Sequence, residues 1–578
     1  MSELIGFLEN AIGKEIYELR GDLKKYEESS NYTFENVATA FVPDGSYDYE
    51  FDSYFKPLYI FGDTIFPKLE DVSLEAIQYW ITRAENTENV VLKARYADLV
   101  WNFSRFYKGE IENPFRFAIM AIESYLEIVE QRVIDQQLTI NEYTIRALKL
   151  AKKLNLKEKI RDIQKVMISV ESQINEDELI GLWGFSFDEL ILEKSTIDDD
   201  QKTEIIDLIH TRLERLITKS QSEELKEDYW EAIEYGTKKL AKYHFLNGDN
   251  QTVVKLLDDL ESVINNSKSQ IFVKDYRYKR LYDLYQEVQI TSENGRLLLK
   301  IEEASKENLA MLQPISSAHS FSKDEIDQFA NAFISENPKN DILHIASQFI
   351  PKIDEHEKRI AERKANGYGL LSQFFDPVFV NEDGMPKTRL DLSIKEDRVA
   401  NEMISSIPVQ AQLIGFVMPR LIESHDLTPE KFAEHLSDTS IHSKENFQFL
   451  VSGIKSYFNR DYIAMIHILI PYIEATLRNI IKEIGLSTYK PNKKGGYDAI
   501  LLGDILSIEQ MKNDILGEDI HFYFKLVLND ARGLNLRNVV AHGLGAASMF
   551  NVVNANILIH ILMILSLFKS DASPEVES

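Results

Sequence analysis

Apolar residues recur at spacings of three and four along most of this chain, in stretches dominated by Glu, Lys, Leu, Ile and Ala. That period belongs to helices with one buried face, so the pattern predicts an all-α protein. From residue 73 to about 310 it predicts a succession of amphipathic helices. Two passages there resemble each other. One is Ala94-Arg95-Tyr96-Ala97-Asp98-Leu99-Val100-Trp101 through Gly109, and the other is Ala241-Lys242-Tyr243-His244-Phe245 through Gly248. Each sets small and aromatic residues on one helical face before a glycine turn, in the manner of stacked helical hairpins. The spacing is too irregular for a named repeat, and any large helical domain yields such pairs. A solenoid-like N-terminal region is the expectation.

Residues 1–72 form a separate N-terminal segment. Its part from Asn31 to Lys68 is dense in Phe, Tyr, Asp, Pro and Gly, with a turn at Phe41-Val42-Pro43-Asp44-Gly45, which predicts irregular structure or a short hairpin. Residues 311–445 are broken by Pro314, Pro338, Pro351, Pro377, Pro386 and Pro408, with a loop at Asn381-Glu382-Asp383-Gly384-Met385-Pro386. They read as a helical connecting region. Residues 446–568 read as a helical bundle. Its first long helix sets Ile463, Ile466, Ile470, Ile473, Leu477, Ile480 and Ile484 on one face, and Pro471 inside that run marks either a kink or a fresh helix start. A loop over Ser487–Tyr497 follows, then helices over about 498–507, 522–531 and 535–542. The polar tail 569–578 is expected to be disordered.

The apolar segment Phe550 to Phe568 carries no charge, yet Asn551, Asn554, Asn556 and His560 interrupt it. Its unbroken apolar part is shorter than the ~20 residues a bilayer requires. A helix buried on all sides of a bundle has the same composition, so no membrane contact is expected.

Composition narrows the chemistry. A hydrophobic share of 44% with 27% charged residues is that of an ordinary globular protein, and 578 residues suit several domains. The chain has no cysteine, which excludes disulfides, thiol nucleophiles and thiolate metal sites and fits a reducing compartment. Met1-Ser2-Glu3-Leu4-Ile5 shows no basic-then-apolar leader, so a cytoplasmic protein is expected. The net charge of −28 argues against a surface broadly attractive to nucleic acid. Between 451 and 550, however, cations such as Lys455, Arg478, Lys512, Arg532 and Arg537 roughly balance the acids, and the negative excess lies upstream.

Within that balanced region, Leu536-Arg537-Asn538-Val539-Val540-Ala541-His542-Gly543 sets a permanent cation, an amide and an imidazole close together. Imidazole moves protons near neutral pH, and guanidinium holds phosphate oxygens through paired hydrogen bonds. Arginine followed by histidine after four to six residues occurs by chance on the order of once in such a chain. It occurs three times here. Arg420 to His425 has unremarkable flanks, and His467, after Arg460, stands among Ile466, Ile468 and Ile470, where a packed core histidine is the simpler reading. Arg537 to His542 differs. Asn535 can cap a short helix that Gly543 and Gly545 end, and Asn538 and His542 share a face of it.

This stretch resembles the signature of the HEPN superfamily of small helical bundles. More narrowly, Arg537-Asn538-Val539-Val540-Ala541-His542-Gly543 is similar to the RNxxAHG signature of an uncharacterised domain family placed near HEPN. Leu469-Ile470-Pro471-Tyr472-Ile473-Glu474-Ala475-Thr476-Leu477-Arg478 is similar to that family's other recurring segment. The resemblance covers about 450–568. Upstream, only Ala97-Asp98-Leu99-Val100-Trp101 is akin to the helical regions such proteins carry. Where some HEPN toxins have a tyrosine two positions after the histidine, the acceptor of AMP from an antitoxin, this chain has Leu544, so that mode of silencing is not supported.

The resemblance implies a metal-independent endoribonuclease. His542 would act as acid–base, Arg537 would bind the phosphate, and Asn538 would orient His542 or bond the substrate. Two copies of the motif would meet in a homodimer through the C-terminal domain. Glu474 and Arg478 are an ordinary ion pair or a support near the site. Lys490, Lys493 and Lys494, beside Gly495-Gly496, form a basic loop that grips single-stranded RNA or is simply solvated. No HExxH, calcium-loop, GxSxG or dinucleotide pattern occurs, so no metal and no cofactor are expected. The helical N-terminal region would sense a trigger or a regulatory protein, in stress response or anti-phage defence. The alternative is a non-catalytic α-helical interaction or RNA-binding protein, and a weaker third reading attaches the chain to a membrane through its apolar C-terminal helix.

Overall fold

A computed structural model describes residues 3–43, 54–61, 64–221, 229–267, 273–312, 320–366, 377–381 and 383–568. The expected turn at Asp44-Gly45 and the polar tail 569–578 lie outside the described residues. The protein is all-α, with a few two-stranded antiparallel pairs among the described residues. It divides into two compact units, Met1–Ala304 and Ser305–Ser578.

In the first unit the helices Leu74–Asn86, Val90–Phe103, Phe115–Glu130, Gln137–Lys153 and Lys157–Ser172 each pack on their neighbours in the chain. The series continues through Asp199–Ser220, Trp230–Leu246, Asn250–Asn266 and Lys274–Glu287. Both glycine turns read from the sequence are left-handed, with φ of +87° at Gly109 and +78° at Gly248, conformations that disfavour a side chain. Residues 31–68 hold the short strand pairing expected of them, but not from the start. They begin with a helix, Tyr32–Ala40, and only then form the strand pairs Phe41–Pro43 with Phe55–Pro57 and Tyr59–Phe61 with Thr64–Phe66. The helix forms because its inward side is anchored. Glu35 accepts from Tyr79 Oη at 2.7 Å and Tyr96 Oη at 2.6 Å, and Trp80 Nε1 donates to the Phe34 carbonyl. A second polar anchor joins helices 48 positions apart: Arg146 clamps the buried Asp98 through Nε and Nη2, at 2.8 and 2.6 Å. Tyr125 Oη donates to the same carboxylate, and the guanidinium lies over the Tyr54 ring.

The second unit is built around Val552–Leu565. Every side chain from Asn554 to Leu565 is buried, each Leu or Ile among them contributing about 1.5–3 kcal/mol. Among the described residues Pro338–Gln348, Lys395–Ser424 and Tyr462–Glu483 pack on it most extensively, with Pro429–Ser437 touching it as well. Its polar interruptions are satisfied internally, as buried polar groups must be. Asn556 donates to the Ala411 carbonyl and accepts from Tyr457 Oη. His560 bonds the Ala346 carbonyl through Nε2 and Tyr523 Oη through Nδ1. This is the buried helix expected from composition. Residues 333–565 share one hydrophobic core, so the segment 311–445 belongs to the same unit as the bundle and is not a separate connector.

Tyr462–Glu483 runs as one helix through Pro471. Ile466, Ile470, Ile473, Leu477 and Ile480 are buried as the pattern requires, but Ile463 is 56% exposed. Periodicity sets the angle of a side chain about the axis but does not say where along that axis a neighbour ends. Among the described residues this is the one helix long and apolar enough to cross a membrane, and half of it is buried within the protein.

Candidate functional site

The motif lies on a six-residue helix, Leu536–Ala541. What fixes it is the end of the preceding helix, Gly517–Leu528. Gly533 comes so close to that helix that a Cβ would sit 2.0 Å from the Leu526 carbonyl oxygen, so only glycine fits. Asn535 then turns into the left-handed region, φ +51°. This corrects the expected cap, because in that conformation Asn535 makes no side-chain cap bond; its Oδ1 accepts instead from Asn538 Nδ2 at 2.8 Å. The other end is as expected. His542 caps the helix just after Ala541, Gly543 follows at φ +65°, and the amides of Gly543 and Leu544 bond the carbonyls of Val540 and Val539. That is a Schellman closure, which requires a residue tolerant of positive φ.

Glu474 and Arg478 come to the site from Tyr462–Glu483. Arg537 Nε donates to Glu474 Oε2 at 3.0 Å, and Arg478 Nη2 donates to Glu474 Oε1 at 2.8 Å. One carboxylate thus faces two guanidinium groups, and its side chain is only 12% exposed. Arg537 also reaches Asn538 Oδ1 from Nη1 at 3.4 Å, and no described residue bonds its Nη2. Asn538 is turned towards Asn535 and, at 3.4 Å, Asn529. It therefore does not orient the His542 ring, which is exposed and has no hydrogen-bond partner among the described residues.

The basic segment is a loop, as expected, only at its tip, where Lys493, Lys494, Gly495 and Gly496 turn; its flanks form a β-hairpin, Tyr489–Pro491 paired with Tyr497–Ala499. Asn492 builds its turn, its Oδ1 accepting from the amides of Lys494 and Gly496. Arg478 Nη2 also donates to the carbonyl of Ile500, just beyond the second strand, so the hairpin is tied to the same guanidinium that pairs Glu474. Lys490 is held by Asp504 at 2.6 Å, an interaction that lowers the Asp504 carboxyl below its ordinary value. Lys493 and Lys494 form no ion pair among the described residues. Two further residues carry no motif signal. Tyr489 and Tyr497 stand on one face of the hairpin, 60% and 74% exposed, the placement that base stacking on a single strand uses.

The other two Arg–His spacings separate clearly. His425 Nε2 meets the buried Asp341 at 2.7 Å, a structural tie. His467, expected in the core, is exposed: its Nδ1 bonds the Ile463 carbonyl and its ring stacks on Phe550, centroids 5.0 Å apart. Flanking isoleucines do not bury a helical residue, because adjacent side chains diverge by about 100°. His467 precedes Glu474 by seven positions and so lies on the same side of its helix, a second imidazole at the surface where the isoleucine pattern predicts a core residue.

Residues 47–163 match a family described as a domain of unknown function, DUF7380. The match lies in the first unit, over the helices that hold the Asp98–Arg146 pair, and does not reach Arg537 or His542. No curated protein matches the chain.

Proposed function

We propose that the C-terminal unit is a HEPN-type, metal-independent endoribonuclease that works as a homodimer. The observation that carries this reading is an exposed His542 imidazole, without a hydrogen-bond partner among the described residues, at the end of the short helix that carries Arg537. Glu474 holds the guanidinium at Nε, which leaves Nη2 open for a phosphate oxygen. In the reaction His542 takes the proton of a ribose 2′-OH, which attacks the adjacent phosphorus. Arg537 stabilises the negative charge gathering on the phosphate oxygens, and the 5′-oxygen leaves with a proton from an imidazole, His542 or its copy. The products are a 2′,3′-cyclic phosphate and a 5′-OH. Exposed Ile463, Leu544 and Val552, close in sequence to His467, His542 and Phe550, supply apolar surface for the second copy. The test is incubation of the full chain with single-stranded RNA in EDTA, with His542→Ala alongside. Equal cleavage by the variant, or none by the wild type, removes the reading.

A second reading, a non-catalytic interaction or RNA-binding protein, is favoured by the same Glu474. A carboxylate shared by two arginines neutralises charge that a phosphate would otherwise meet, and such a cluster ties helices together without chemistry. Arg537→Ala discriminates. A catalytic Arg537 lets the variant melt near the wild type but abolishes cleavage, whereas a structural Arg537 lowers the melting temperature and leaves RNA retention unchanged.

A further inference from the structure

Away from the motif, two histidines of the first unit meet end to end. His210, on Asp199–Ser220, and His244, on Trp230–Leu246, bring their Nε2 atoms to 3.3 Å across 34 positions of sequence. The rings are tilted by 64°, so they do not stack, and their Nε2 atoms face each other. His244 Nδ1 lies 3.1 Å from Asp249 Oδ2, and that aspartate is fixed in turn, because its Oδ1 caps the next helix by accepting from the Thr252 amide. The His244 side chain is 15% exposed, leaving an edge open to solvent.

We propose that His210 and His244 form a binding site for a late first-row divalent ion, zinc foremost, with nickel and copper as alternatives of the same class. Three features support it. Two imidazole nitrogens on one tetrahedral zinc, each bonded at about 2.0–2.1 Å, stand roughly 3.3 Å apart, the separation found here, so the rings need only pivot to aim both at one ion. A carboxylate behind Nδ1 is the usual outer partner of a metal-bound imidazole; it keeps the proton on Nδ1 and presents Nε2 as the donor. Two carboxylates, Asp207 and Glu214 of its own helix, also act on His210, against one ammonium, Lys255 of Asn250–Asn266.

No group of three or more histidine, aspartate and glutamate side chains suited to a metal occurs among the described residues. The remaining positions are therefore filled by water, and the ion is exchangeable. Imidazole selects this class over magnesium and calcium, which take oxygen ligands. On binding, the His210 proton moves from Nε2 to Nδ1, so no net proton is released from the neutral pair. Bridging two consecutive helices, the ion stiffens the first unit and makes its stability depend on metal supply. This was invisible in the chain order, where the two histidines belong to separate helices and fit no ligand spacing.

The experiment uses the full chain stripped with chelator. Isothermal titration with Zn²⁺, with Mg²⁺ as control, should give one site per chain, and Co²⁺ should give visible d–d absorption. His210→Ala and His244→Ala should each weaken binding by at least tenfold, and Asp249→Asn by about 10–100-fold. No stoichiometric Zn²⁺ binding by the wild type overturns the proposal whatever the variants do. So does binding that survives in the His210→Ala/His244→Ala double variant; the histidines are then only a hydrogen-bonded pair. Should either alanine variant fail to fold, His244→Gln, which keeps a polar group, reads the same loss.

Discussion

Arg537 donates from Nε to Glu474 Oε2 at 3.0 Å across 63 positions of sequence. The motif helix is thereby joined to the helix that also carries Arg478. Glu474→Ala should free both guanidinium groups. The expected cost is about 1–3 kcal/mol, between that of exposed and buried ion pairs, read as a lower midpoint in urea. RNA cleavage should fall at least tenfold, since Arg537 loses its orientation. Wild-type cleavage by a folded Glu474→Ala protein would show that this carboxylate does not position the arginine.

His542 is exposed and bonds nothing described, so its loss should leave stability within about 0.5 kcal/mol of wild type. Cleavage by His542→Ala should drop by roughly 10²–10⁴-fold, the usual contribution of a general acid–base. Thermal melts and single-turnover assays on the same preparation check both halves.

The hairpin divides its lysines. Lys490 is committed to Asp504, whereas Lys493 and Lys494 are exposed. Replacing Lys493 and Lys494 by Gln should weaken RNA retention and lower the salt dependence by about 0.7 per lost phosphate contact on a single strand. Replacing Tyr489 and Tyr497 by Ala should weaken it by about 1–3 kcal/mol per stacked base without changing that slope. Filter binding across a salt series separates the two effects, and identical slopes for all variants would exclude a lysine grip.

Two histidines of the second unit are buried without charge, and burial pushes each down to about 4: His560, and His442 beside Tyr472. In the unfolded chain they titrate near 6.5. Between about pH 6.5 and 4 the unfolded state binds more protons, so their contribution is whole above that window and is lost as pH falls through it. Each accounts for up to about 3 kcal/mol. Urea midpoints at pH 7.5 and 5 should show a marked drop, smaller in His560→Leu measured against its own value at pH 7.5. A wild-type midpoint independent of pH across this window would contradict their buried, neutral state.

Asp98 and Arg146 form a buried pair in the first unit. Arg146→Ala strands the carboxylate and should cost about 3–5 kcal/mol. Adding Asp98→Ala should recover part of that loss, and a double variant worse than the sum of both singles would refute the pairing.

The amino-acid order by itself determined the helices, the apolar core helix at the C-terminal end and the glycine that closes the motif helix. All of these are local: they follow from a 3.6-residue period, from side-chain composition and from the backbone freedom of Gly543. Only the tertiary structure decided which groups meet. Glu474 between two arginines, Asn538 turned towards Asn535 and Asn529, His467 outside rather than inside, and His210 against His244 all depend on where one helix ends beside another. The hairpin escaped the pattern because every residue of its two strands is exposed, so no hydrophobic alternation marks it, and its turn is fixed by the side chain of a single asparagine.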